Sequence, residues 1–248
     1  MISAKSFERA KRMVANRLST DTYVGLHLTV SFLVFAVALW LSSALLEAVL
    51  DNATLVQQDI AAAAWIHRHI TPTGTSVSYW ISAIGSPTSM GVLAVIVGVE
   101  LLRRKRRTLL VAWIAAFAGG GALERILKMA VHRTRPLFNT TPLEEQSLSF
   151  PSGHSMMCLV GVAMFVYVLT VPGQLKGVWR GVLIGVAASF VLSMGIARVY
   201  LGAHYPSDVL GGYAAGAGWV AICVGVRGIV KHRRHRRSST QTARARAN

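Results

Sequence analysis

The chain has 248 residues, with 26 Lys plus Arg against 10 Asp plus Glu, a formal net charge of +16, yet 53% of its residues are hydrophobic and only 15% are charged. A soluble domain is about 25% charged, so this balance and a mean hydropathy of +0.48 exclude an ordinary soluble protein and point to a membrane. Disorder requires low hydrophobicity and is excluded for most of the chain. Two cysteines exclude a disulfide scaffold.

A bilayer core about 30 Å thick takes about 20 helical residues at about 1.5 Å each. Stretches free of Asp, Glu, Lys and Arg run from Gly25 to Leu46, Val77 to Val99, Thr108 to Leu123, Ser155 to Val171, Gly181 to Ala197 and Val209 to Val226. The shorter ones gain a turn at their polar ends, and all six read as transmembrane helices. Lys5, Arg9, Lys11, Arg12 and Arg17 precede the first like the basic region of a signal peptide. Its apolar length exceeds the about 7–15 residues of a signal core, so the first span is expected to be retained. Between the first two spans, Ala53 to Ile70 is mildly amphipathic, reads as a short helix on the outer surface and is assigned a structural role. Gly85, Ser86 and Pro87 interrupt the second span and would kink or split it. Gly119 to Gly121 in the third span, and the run from Gly211 to Gly218 in the sixth, offer small faces for close helix packing.

The expected architecture is an all-α, polytopic bundle of six transmembrane helices. Residues 1–24 form a basic cytoplasmic N-terminus, 25–230 the membrane domain and 231–248 a basic, disordered cytoplasmic tail. Cytoplasmic loops collect Lys and Arg. With six spans, one side holds only Arg68, Arg125, Lys128, Arg133, Arg135 and Arg198, and the other side holds the remaining 20 cations. Both termini are therefore expected in the cytoplasm, with the basic tail against anionic lipids and no nucleic acid as partner. The few cations on the outer side cluster at the ends of the third and fifth spans, where charges at membrane helices mark functional sites.

Three outward blocks carry the chemistry. Lys128 lies in the last turn of the third span, and Arg135 precedes Pro136, which forces it out of helical geometry; two cations from different backbone segments suit a tetrahedral dianion. Pro151-Ser152-Gly153-His154 precedes the fourth span, where free N–H groups at a helix N-terminus bind anions. Arg198, His204 and Asp208 bracket the turn into the sixth span, and the Asp208 carboxylate is placed to accept a hydrogen bond from the imidazole, fixing the tautomer that makes the other ring nitrogen nucleophilic. The simpler alternatives are interfacial snorkelling for Lys128 and Arg135 and helix capping for Ser152 and Asp208.

Taken together, these blocks resemble the type 2 phosphatidic acid phosphatase family, which shares its motifs with the vanadium haloperoxidases. Lys-six residues-Arg-Pro is matched by Lys128, Arg135 and Pro136. Pro-Ser-Gly-His is matched by Pro151 to His154, and Arg-five-His-three-Asp by Arg198, His204 and Asp208. The one departure is Ala197, where the family often carries serine; the core set is intact. The resemblance implies an integral lipid phosphatase with His204 as nucleophile, Asp208 orienting it and His154 as acid and base. Lys128, Arg135, Ser152, Gly153 and Arg198 would hold the phosphate, with no cofactor. No acidic pair, cysteine cluster or HExxH sequence suggests a metal cage, so no metal site is assigned. The implied substrates are membrane lipid phosphates of the undecaprenyl diphosphate, phosphatidylglycerophosphate or phosphatidate type, in a bacterial cytoplasmic membrane with the site facing outward. The rival classes are a vanadate-dependent haloperoxidase and a transporter of phosphorylated compounds. The sequence does not specify an oligomeric state.

Overall fold

The structure, a computed structural model, describes residues 23–51, 53–136, 148–171 and 177–247; the basic residues of the expected N-terminus, Lys5 to Arg17, lie outside them. Among the described residues the chain is all helical. The elements are α1 (Tyr23–Asp51), α2 (Ala53–Arg68), α3 (Pro72–Ile84), α4 (Pro87–Arg103), α5 (Arg107–Val131), α6 (Gly153–Thr170), α7 (Val178–Tyr200) and α8 (Pro206–Ala247). Six stretches are long and apolar enough to cross a membrane: Leu28–Asp51, Pro72–Arg103, Arg107–Val131, Gly153–Thr170, Val178–Tyr200 and Pro206–Val230. They coincide with the six expected spans, and α2 lies between the first two.

The second span begins five residues before its expected start and is split, as Gly85-Ser86-Pro87 suggested. Thr71 caps α3, its hydroxyl accepting from Gly74 N at 3.1 Å, and Ser86 caps α4, with Pro87 in the first turn. Pro87 has no N–H to give the Ala83 carbonyl. That carbonyl accepts instead from Ser89 Oγ at 2.7 Å and from Ser86 N at 3.3 Å, so the break leaves it satisfied inside the membrane.

The most enclosed spans are those of α6 and α8. Met156, Val160 and Met164 are fully buried on α6, and Trp113 of α5 packs beside them with its indole N–H donating to Ala94 O at 2.8 Å. The small face of α8 lets it approach the start of α6 closely: a Cβ on Gly212 would lie 2.6 Å from the Ser152 carbonyl oxygen, so only glycine fits. That approach fixes where the first turn of α8 sits relative to the first turn of α6. Phe32, Trp40, Trp80, Val95 and Ile196 are exposed around the bundle, as a lipid-facing surface requires.

Beyond residue 230 the chain is helical, α8 continuing to Ala247. Arg, Lys, Gln and Ala dominate this stretch and are all good helix formers, so a polar composition does not stop a helix already nucleated by a membrane span. Cys158 and Cys223 are both buried and free.

Candidate active site

Each of the three blocks is positioned by a helix end. Helix α5 stops at His132, which adopts the left-handed conformation at φ 50°, ψ 30° while its N–H reaches back to Lys128 O. The chain then leaves the helix through Arg133 and Arg135, and Ser149 N donates to Arg133 O at 2.8 Å, joining the far side of the loop. At the second block Ser152 caps α6 by accepting from Ser155 N at 3.4 Å, and Ser152 N donates to Asp208 O at 2.9 Å. At the third, a turn from Leu201 to Tyr205 closes with Ala203 N donating to Arg198 O at 3.1 Å, and Pro206 opens α8 so that Asp208 falls in its first turn.

His204 is 1% exposed and Asp208 is fully buried. Arg135 Nη1 donates to Ala203 O at 2.8 Å and lies 3.4 Å from His204 Nε2. A guanidinium has donors only, so this contact requires Nε2 to accept and the imidazole proton to sit on Nδ1. Burial pushes the His204 pKa down to about 4; Asp208 pulls it up, and the charges of Arg135 and Arg198 push it down again. The ring is neutral at ordinary pH, with its lone pair aimed at a cation that would bind an anion.

The expected imidazole–carboxylate hydrogen bond is not made: His204 Nδ1 lies 3.6 Å from Asp208 Oδ2, beyond hydrogen-bonding distance. Asp208 is held by other groups. Its Oδ2 accepts from Tyr205 N at 2.8 Å and from Ser149 Oγ, and its Oδ1 accepts from Arg133 Nη1 at 2.7 Å. Arg133 in turn reaches Asp59 Oδ2 with Nη2 at 2.7 Å, and its guanidinium lies 4.4 Å from the centre of the Tyr205 ring. Burial lowers the Arg133 pKa, but Asp208 and Asp59 outweigh burial and hold it above its ordinary value. Asp59 also accepts from Ser207 N at 3.2 Å and from Ser207 Oγ. Helix α2 therefore does more than cover the surface: it delivers a carboxylate, 4% exposed, into the scaffold beneath the turn that carries His204.

Asp59, Arg133, Ser149 and Ser207 were not singled out as site residues from the sequence. The available signal was charge: Arg133 is a cation on the sparsely charged side, and Asp59 is the one acid in an otherwise uncharged helical stretch up to Arg68. Glu124 was missed as well. One turn before Lys128, it pairs with Lys128 Nζ at 2.8 Å, and its carboxylate lies against Gly153, where an added Cβ would come 2.2 Å from Oε1. Lys128 and the N-terminus of α6 thus share an anion supplied by the protein itself. Arg198, 4% exposed, donates from Nη1 to Ser82 Oγ at 2.9 Å, which ties the third block to the split second span. His154 opens α6 and is half-buried, more accessible than His204.

A neutral buried histidine, a carboxylate on the far side of its ring, and lysine, arginine and a helix N-terminus gathered at one end of six membrane spans define a membrane-embedded phosphatase. The sequence model of the PAP2 superfamily matches residues 108–230, the stretch that carries all three blocks. Phosphatidylglycerophosphatase B of Bacillus subtilis is 31% identical over 173 residues, covering 68% of this chain and 77% of that protein. Lipid A 1-phosphatase of Rhizobium etli is 35% identical over 138 residues, covering 50% and 54%. The crystal structure of a transmembrane PAP2 type phosphatidylglycerolphosphate phosphatase from Bacillus subtilis superposes with a TM-score of 0.64 at 27% identity, over 79% of this chain and 94% of that one. The chain belongs to the PAP2 superfamily.

The depressed pKa of His204 gives a pH expectation. A histidine whose folded pKa is lowered stays unprotonated, and hence nucleophilic, until the pH falls through that value, so its acidic limb in kcat/KM should lie near 4 and not near 6.5. Arg135→Gln removes a charge that pushes the pKa down, so the limb should move toward neutral pH. The second ionisation of a phosphate substrate, near about 6, appears in both profiles, so the displacement between them is the diagnostic. An unmoved limb, or one displaced toward acid, would contradict the electrostatics.

Proposed function

We propose that the chain hydrolyses the phosphate monoester or diphosphate of a membrane lipid, of the undecaprenyl diphosphate, phosphatidylglycerophosphate or phosphatidate type, through a phosphohistidine on His204. The observation that carries this reading is the buried His204, with Nε2 3.4 Å from Arg135 and Nδ1 turned toward Asp208. The named activities of the Bacillus and Rhizobium relatives support lipid phosphates as the substrate class.

In this mechanism Nε2 attacks phosphorus as the bond to the lipid oxygen breaks, and His154 gives that departing oxygen a proton. Asp208 orients the ring and stabilises the charge it gains. Lys128, Arg135, Arg198, Ser152 and the Gly153 N–H hold the three equatorial oxygens. The now neutral His154 takes a proton from water, whose oxygen attacks phosphorus; the N–P bond breaks, inorganic phosphate leaves and both histidines return to their starting states. Three cations and the roughly half positive charge of the α6 N-terminus face a phosphate of about two negative charges, which is the neutralisation a divalent metal would otherwise supply. For substrate to bind, Glu124 has to yield Lys128 to the phosphoryl group.

The cation bias supports an orientation with both termini in the cytoplasm and the site at the outer face of a bacterial cytoplasmic membrane, where a lipid phosphate would reach it with its chains still in the bilayer. The basic N-terminus and tail meet anionic lipids on the inner face. The test is phosphate release by the purified protein in detergent across a panel of lipid phosphates. The expected result is turnover that persists in excess EDTA and is blocked competitively by vanadate, which adopts the trigonal bipyramidal geometry of the transferring phosphoryl group. Turnover lost on chelation and restored by Mg²⁺ or Zn²⁺ would overturn the mechanism. Bromide oxidation or liposome flux without phosphate release would overturn the function.

A further inference from the structure

Arg227 is a buried cation far from the catalytic turn. It lies near the far end of the membrane-spanning part of α8, Pro206–Val230, and is 9% exposed. Its Nη1 donates to the Tyr167 hydroxyl at 2.5 Å, and its guanidinium sits 5.3 Å from the centre of the same ring. Its Nε is buried with no hydrogen-bond partner. Among the described residues its charge meets a phenol and an aromatic face but no carboxylate. A cation buried in a membrane protein without a counter-ion is costly and marks a place where an anion belongs.

Arg227 lines a crevice of about 250 Å³ between α5 and α8, with Arg107 and Thr108 at its mouth and walls that include Val111, Ala115 and Ile222. Trp219 lines it too, its indole N–H pinned to Ala116 O at 3.1 Å. From Trp219 to Val230 the helix rises about 16 Å at about 1.5 Å per residue, close to half of a bilayer core about 30 Å thick. The crevice therefore has the length of one leaflet, an apolar wall for a hydrocarbon chain and two guanidinium groups at the level of the headgroups.

We infer that this crevice binds one anionic phospholipid from the leaflet opposite the catalytic turn, its phosphate against Arg107 and Arg227 and one acyl chain lying along α5 and α8 as far as Trp219. The site stands at the other end of the spans from His204, so it takes a resident lipid and not the substrate, and it does not depend on the proposed hydrolytic reaction. The lipid phosphate supplies the missing anion for Arg227, and Arg107, exposed at the mouth, closes on it from the first turn of α5.

The test offers the purified full chain equal amounts of dioleoylphosphatidylserine and dioleoylphosphatidylcholine and counts retained lipid by native mass spectrometry. Phosphatidylserine is anionic but carries no phosphomonoester, so it is not turned over. Each cation near a membrane surface favours an anionic head about fivefold. The expected preference is about 25-fold in the parent chain, about fivefold in Arg227→Gln or Arg107→Gln, and absent when both are replaced. Arg107 is exposed, so its variant reports even if loss of Arg227 perturbs the fold. Phosphate release should be unchanged in Arg107→Gln. Equal retention of the two lipids by the parent chain would overturn the assignment. So would a preference that survives the double substitution, displacement by vanadate (which would place the lipid in the catalytic cradle), or displacement by inorganic phosphate, which would show a site for a free anion.

Discussion

His204→Ala should abolish turnover and with it every trace of covalent phosphoenzyme. Loss of a nucleophile costs on the order of 10⁶-fold when the remaining groups cannot act without it, and among the described residues His204 combines burial, neutrality and a lone pair held against the Arg135 guanidinium. Replacing His154 should be gentler and selective. General acid–base assistance contributes about 10²–10⁴-fold, most for a poor leaving group. His154→Ala should therefore retain much of its rate on an aryl phosphate while losing the lipid alkyl ester, and it should accumulate phosphohistidine because water is no longer activated. Rapid-quench labelling with a radioactive substrate checks both variants. A labelled intermediate in His204→Ala would mean that another residue attacks.

Asp208→Asn should lower kcat on the order of 10³–10⁴-fold, the scale on which the carboxylate of a serine protease triad acts by orienting a ring and stabilising the charge it gains, with far less change in KM. Ser149, Tyr205 N and Arg133 grip Asp208, so it stands 3.6 Å from Nδ1 as a fixed charge and does not follow the ring. An amide in the same place keeps the shape, loses the charge that would balance a phosphoimidazolium, and sets an N–H against either Arg133 or the ring. The steady-state constants of the variant on a lipid phosphate decide the matter: a raised KM with an unchanged kcat would make Asp208 a helix cap that also binds substrate.

The membrane fold is written in the spacing of the charges. Runs free of Asp, Glu, Lys and Arg can only be spans, and Gly85-Ser86-Pro87 breaks one of them because proline removes a donor that Ser89 replaces. Lys128, Arg135 and Arg198, proposed above to hold the phosphate, stood out for the same reason, since they lie where cations are otherwise scarce. Partnerships made across the fold were not legible. Asp59 sits 74 residues from Arg133, and nothing in a mildly amphipathic stretch says which of its residues turns inward. Glu124 reads as an i, i+4 helix partner of Lys128, and only its position against Gly153 makes it a competitor for the anion site. In the tail, composition reports how polar the segment is, while continuation of α8 depends on a helix already nucleated upstream.

These residues converge on one claim, that phosphorus passes through a bond to His204 Nε2. The most direct test is to quench the purified chain during turnover of a lipid phosphate, digest it under neutral to alkaline conditions that preserve phosphohistidine, and locate the added phosphoryl group by mass spectrometry. The expected result is a single modified peptide carrying the phosphoryl group on His204, enriched in His154→Ala and absent when vanadate is present. A phosphoryl group on His154, or active turnover in which no phosphorylated peptide accumulates in either the parent chain or His154→Ala, would contradict the account.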